Sequence, residues 1–234
     1  MCDSNEDSST EDKHISSLAA KDVDGIIYIS TKSDVKQIYK DYKIPVVHID
    51  RRPEHAGTLI ISDNEMGGFL ATEALIKDGC KDILMLSDKT IILPHETDIK
   101  VMLTLTKVFF AASRGKCYKT DVSYASSYDA IKKVIADGKK FDGIFCNNDV
   151  MALGALQALK DCGISVPEKC KIVGFDDITL SEICDPPITT IQQDTDMFGK
   201  KSVETLLNLI ENNETKNKND IYVIPVKLVK RTTA

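Results

Sequence analysis

Six short runs of β-branched or continuously apolar residues, most of them followed by an amphipathic stretch, constrain this chain more than any other feature. The runs are 25–30 (GIIYIS), 45–49 (PVVHI), 58–62 (TLIIS), 83–87 (ILMLS), 143–147 (GIFCN) and 171–176 (KIVGFD). Strands this apolar are covered on both faces, which is the condition of a parallel sheet. Helical periodicity predicts helices over 11–21, 33–42, 65–78, 97–113, 126–138, 150–162 and 196–213, followed by a last strand over 221–230. The alternation predicts an α/β fold with parallel sheets, and 234 residues suffice for one large domain or two lobes.

The element boundaries carry local signals. Ser62-Asp63-Asn64-Glu65 has the spacing of a capping box. Asn148-Asp149 reads as an N-cap pair, and Gly79, Gly138 and Gly163 read as helix stops.

Composition excludes several classes of function. The net charge is −6, and the most basic stretch, Lys227 to Arg231, alternates with apolar residues. Gripping DNA needs clustered Lys and Arg against phosphates, so this chain alone is not expected to do so. The longest apolar runs fall far short of the ~20 residues that span a bilayer. The opening Met1-Cys2-Asp3-Ser4-Asn5-Glu6-Asp7 is acidic where a secretory signal is basic and then apolar. The seven cysteines are odd in number and form no Cys-x-x-Cys pair, so neither a disulfide framework nor a zinc site is expected, and a reducing cytoplasm is. No glycine-rich nucleotide loop, no Gly-x-Ser-x-Gly elbow and no His-Glu-x-x-His is present. The expectation is therefore no enzyme activity, no metal and no cofactor, with His48 a packed residue of its strand.

What remains is a set of polar residues at the C-terminal ends of strands, the edge at which open α/β sheets bind ligands. Asp50-Arg51-Arg52 follow one strand, Asn148-Asp149 another, Asp176-Asp177 a third, and Gln192-Gln193 end the segment 188–193. Mixed donors and acceptors of this kind suit sugar hydroxyls or a purine edge. The competing reading is helix caps and loop ion pairs. It is the better one for Asp149 and Asp177, and stands level with the ligand reading for Asp50, Arg51, Asn148 and Asp176.

Longer stretches resemble the lac-repressor family of bacterial transcription regulators, whose core shares its fold with type I periplasmic sugar-binding proteins. They are VDGIIYIS (23–30), IPVVHIDRR (44–52), SDNEMGGFLATEALIKDGCKDILMLS (62–87), FDGIFCNNDVMALGALQALKDCGISVPEKCKIVGFDDI (141–178), PPITTIQQDTDMFGKKSVETLL (186–207) and IPVKLVKR (224–231). The resemblance implies two Rossmann-like lobes joined by crossovers, 1–80 plus 194–218 and 81–193 plus 219–234, with a small-molecule effector between them. It implies Asp50, Arg51, Asn148, Asp176 and Gln193 as ligand contacts. Lys100 stands where relatives carry a ligand-reaching Arg, keeping the charge but losing the planar fork. It implies a homodimer and operator binding through a helix-turn-helix headpiece outside this chain, with a ribose-like sugar as the favoured effector and a purine next. Matched against the family, the chain opens near the tail of the second strand, so the first strand and helix of the N-terminal lobe are expected to be missing. The alternative is a solute-binding protein for sugar uptake, which the same lobes would serve.

Overall fold

The computed structural model describes residues 2–3, 7–29, 44–50, 57–88, 116–212 and 220–234. The expected helices 33–42 and 97–113, with Arg51 and Lys100, lie outside the described residues. The described chain is α/β and falls into two compact units.

The first unit holds α1 (Ser8–Ala20), β1 (Ile26–Ile29), β2 (Val46–Ile49), β3 (Thr58–Ser62), α6 (Thr195–Glu211) and β9 (Ile221–Ile224). Its strands form a parallel sheet in the order β1-β2-β3-β9. Alternate residues face opposite ways, so Ile26, Tyr28 and Val46 pack with Ile15 and Leu18 of α1, while Val47, Ile60 and Ile224 pack with Phe198, Leu206 and Leu209 of α6. Gly25 admits this helix closely, since a Cβ there would stand 2.7 Å from Leu206 Cδ1. His48 is fully buried and meets the Tyr28 ring edge-on, the packed strand residue the sequence predicts.

The second unit holds α2 (Asn64–Lys77), β4 (Ile83–Asp88), β5 (Lys116–Thr120), α3 (Tyr124–Ala136), β6 (Gly143–Cys146), α4 (Asp149–Asp161), β7 (Lys171–Asp176), the short α5 (Thr179–Ile183), β8 (Thr189–Gln193) and β10 (Val226–Val229). Its sheet runs β10-β8-β7-β6-β4-β5, with only β10 antiparallel. The near-continuous apolar runs arise because both faces are covered. Leu84, Leu86, Ile144 and Ile172 face α3 and α4, whereas Ile83, Met85, Phe145, Val173 and Phe175 face α2. Helices α2, α3 and α4 each end on a glycine with positive φ: Gly79, Gly138 and Gly163. In α4 the Gly163 N–H bonds the Lys160 carbonyl and the Ile164 N–H bonds that of Leu159, closing the helix as a Schellman motif.

Three expectations need correction. Ser62 does not cap α2: it is the last residue of β3, buried and paired with Ile224, and the Asp63 carboxylate accepts the Met66 N–H at 2.9 Å instead. The last strand is two strands in two sheets, because Pro225 lies between β9 and β10. The boundary between the units falls after Ser62, not near residue 80. Helix α2 belongs to the second unit because Gly67 lies against Phe175 of β7, where a Cβ would come within 2.5 Å of the ring, and Ala71 and Leu75 share a cluster with Val173 and Ile191.

Candidate functional site

In the second sheet β6 and β5 flank β4 on opposite sides, so the strand order reverses between β4 and β6. Ligands of open α/β sheets bind beyond the C-terminal strand ends at such a reversal. The segment after β6, which begins α4 with Asn148 and Asp149, and the ends of β7 and β8 build that edge.

Asp176 ends β7 and Gln193 ends β8, one register step beyond the Asp176–Gln192 pair. The Gln193 side-chain amide donates to Asp176 Oδ1 at 2.5 Å, and both residues are half-buried. The bond from Gln193 orients the Asp176 carboxylate at the end of β7. Asp176 has φ 104° and Asp177 φ 58°. Two successive left-handed residues are costly unless the surroundings hold them, and such strain clusters at ligand sites.

The reversal sends the two carboxylates to different partners. Asp177 accepts from the Gln192 side-chain amide and from the Arg231 guanidinium, each at 2.6 Å, and Arg231 also donates to the Ile188 carbonyl at 3.0 Å. Asp177 is thus a structural anchor, the reading the sequence favoured.

Asn148 caps α4. Its side-chain oxygen accepts the Met151 N–H at 2.8 Å, and its amide NH2 is the donor end of the same side chain. Asp149, the next residue, is fully buried. Its Oδ1 accepts from the Thr190 hydroxyl at 2.6 Å and its Oδ2 from the Ile178 N–H at 2.9 Å. Burial pushes its pKa above the usual carboxylate range, and the nearby Asp177 charge adds to the rise. The hydrogen bonds from Thr190 and Ile178 oppose it. Ser181 faces the same carboxylate and opposes the rise as well, although its hydroxyl closes no hydrogen bond of ordinary length and angle.

That rise gives a signed prediction. The folded state holds the Asp149 proton more tightly than the unfolded chain does. The group's contribution to stability is therefore greatest below the usual carboxylate range and is lost as pH rises through the raised value. Asp149→Asn has no such titration. In urea unfolding from pH 3.5 to 7, the stability of the variant relative to wild type should climb through the acid range and then level off. A flat difference would show that the carboxylate is not disfavoured by burial.

Asp50 lies in the first unit. It is exposed at the end of β2, with φ 68° and its N–H bonded to the Ile60 carbonyl at 2.9 Å. Of the six sequence-predicted contacts, the structure joins Asp176 directly to Gln193, places Asn148 on the same sheet edge and sets Asp50 in the other unit. Sequence reasoning missed Arg231 as part of this framework. Its signal was an arginine in an otherwise strand-like tail, 54 residues from its partner.

Among the described residues no group of His, Cys, Asp and Glu is placed to hold a metal ion. Burial pushes the Cys80 thiol up to about 11 and raises Cys146 and Cys170 as well, so none of the three carries a thiolate nucleophile at neutral pH. No described helix is long and apolar enough to cross a membrane.

Comparison with known proteins adds the lineage. The profile of the periplasmic binding protein-like domain matches residues 72–234. The ribose operon repressor of Halalkalibacterium halodurans is 30% identical over 100% of this chain and 69% of its own length. The chain belongs to the lac-repressor family. The HTH-type transcriptional repressor PurR of Aliivibrio salmonicida is 31% identical over 90% of this chain and 65% of the repressor. This family core thus spans about two thirds of the length of the curated relatives it matches. A crystal structure of the lac repressor dimer bound to operator and the anti-inducer ONPF superposes with a TM-score of 0.80 at 26% identity, covering 97% of this chain and 79% of that one. Both curated relatives are transcriptional repressors, which are not enzymes.

Proposed function

We propose that this chain is the effector-binding and dimerisation core of a transcriptional repressor and that its effector is a small, ribose-like sugar. The observation that carries the reading is the Asp176–Gln193 pair, a carboxylate oriented by an amide on a strained turn at the ligand edge of the second sheet. A carboxylate accepts from sugar hydroxyls, and the Asn148 amide supplies a donor on the same sheet edge. Asp50, Arg51 and Lys100 complete the proposed contact set. A purine effector is the second reading, since mixed donors and acceptors also suit a purine edge. The uptake alternative gains no support from the two curated relatives, both of them repressors.

As a core of this kind the protein would act through populations. A sugar that favours one arrangement of the two units shifts the repressor toward it by no more than its differential affinity. Operator binding would come from a headpiece outside this chain. The homodimer, the state of the lac repressor structure, finds support here in Leu180 and Ile183 of α5, which are 52% and 69% exposed. The setting would be the cytoplasm, where repressors meet DNA.

Thermal unfolding against pentoses, hexoses, sugar phosphates and purines tests the effector. At about 100 times its dissociation constant a true ligand adds ~2.7 kcal/mol, a rise of roughly 5–10 °C for a chain of this size. A pentose-selective shift is expected. A shift with purines and none with sugars would replace the sugar reading by the second one.

A further inference from the structure

We propose that Asp149 is the positioning residue of the ligand edge, holding from behind the turn that presents Asp176 to Gln193. The inference rests on the reading of that edge as the effector site. One buried carboxylate ties together three pieces of chain. It stands at the start of α4, accepts the Ile178 N–H two residues beyond Asp176, and accepts the Thr190 hydroxyl three residues before Gln193. Its two oxygens therefore fix the far sides of both members of the pair.

The backbone is built to admit it. Gly174 lies under the carboxylate, and a Cβ at that position would stand 2.0 Å from Asp149 Oδ1. Gly174 is also the register partner of Thr190, so the carboxylate sits over the β7–β8 pairing two residues before Asp176. An acid at this place does more than begin a helix, since Asn148 already caps α4. The two left-handed residues just before Ile178, Asp176 and Asp177, are the segment that would relax first without the bond to Ile178. The Asp177–Arg231 pair holds the same turn as well.

The test follows two signals by NMR and one affinity. Wild type, Asp149→Asn and Asp149→Ala are compared for the Gln193 side-chain amide resonances, for hydrogen exchange at the Ile178 amide, and for D-ribose affinity by calorimetry. In Asp149→Asn one oxygen still accepts the Ile178 N–H and the new NH2 can donate to Thr190, so both signals should stay near wild type. In Asp149→Ala the Gln193 amide should move to a solvent-averaged position. Ile178 exchange should rise at least ~10-fold beyond the change in amides of β6, as expected for a lost bond to a charged group. D-ribose should bind ~10-fold or more weakly. A residue that merely supports the fold would move Ile178 and β6 together and leave the Gln193 signal in place, and that result overturns the proposal. If Asp149→Ala does not fold, Thr190→Val should shift the Gln193 signal and Thr190→Ser should restore it; no shift in Thr190→Val also overturns it. Failure of wild type to bind D-ribose would count against the sugar reading alone, because the two NMR signals decide the positioning role without ligand.

Discussion

Arg231→Ala should lower the unfolding free energy by about 3–5 kcal/mol, the cost of leaving a buried charge without its partner. The Arg231 and Asp177 side chains are 15% and 8% exposed, and the guanidinium bonds Asp177 at 2.6 Å while its other arm bonds the Ile188 carbonyl at 3.0 Å. Removing it takes the opposite charge from Asp177, which keeps the Gln192 amide, and a donor from the Ile188 carbonyl at once. Lysine restores the charge but not the two-armed fork, so Arg231→Lys should recover only part of the loss. The exposed pair Lys230–Asp78, 3.2 Å apart with side chains 61% and 22% exposed, is the internal control. Lys230→Ala should cost no more than about 1 kcal/mol. Urea unfolding of the three variants measures this, and equal small losses for Arg231→Ala and Lys230→Ala would refute the anchor role.

Gly174→Ala should cost about 3 kcal/mol, near the upper end for overpacking a core. Most glycine-to-alanine changes in a strand are harmless or helpful. This one puts a methyl 2.0 Å from the Asp149 carboxylate and 3.4 Å from the Ala152 Cβ. The carboxylate cannot withdraw without giving up Thr190 and Ile178, so steric strain and lost hydrogen bonds add. The double variant Gly174→Ala, Asp149→Ala should lose less than the sum of the two single changes, because the clash disappears with the carboxylate. Strict additivity in a double-mutant cycle would mean that the two residues do not compete for the same space.

The sheet strands were legible because of how they are buried. β6 and β7 are covered on both faces, Phe145 and Val173 by α2 and Ile144 and Ile172 by α4, so nearly every residue in them is apolar. β5 (Lys116–Thr120) was not legible, since it is a mostly exposed outermost strand, Lys-Cys-Tyr-Lys-Thr, with no apolar run to betray it. The capping of α2 was misplaced by one residue, as Ser62 and Asp63 are both good caps and the choice was made by the pairing of Ser62 in β3. The Asp176–Gln193 edge was visible as polar residues at strand ends. Its framework was not. Asp149 meets Thr190 41 residues away and Arg231 meets Asp177 54 residues away, and nothing local in the sequence announces either contact. The positive φ of Asp50, Asp176 and Asp177 is equally silent, because aspartate tolerates that region without requiring it.

The central claim is that Asp176, oriented by Gln193, binds the hydroxyls of a ribose-like effector. Calorimetric titration of D-ribose into wild type and Asp176→Asn tests it most directly, since asparagine keeps the size of the side chain and its tolerance of positive φ while removing the charge. Saturable binding to wild type is expected, weakened roughly 10- to 100-fold in Asp176→Asn, in line with the loss of ~1.5–3 kcal/mol for hydrogen bonds to a charged group, with the unfolding midpoint little changed. Equal D-ribose affinity for the two proteins would contradict the account.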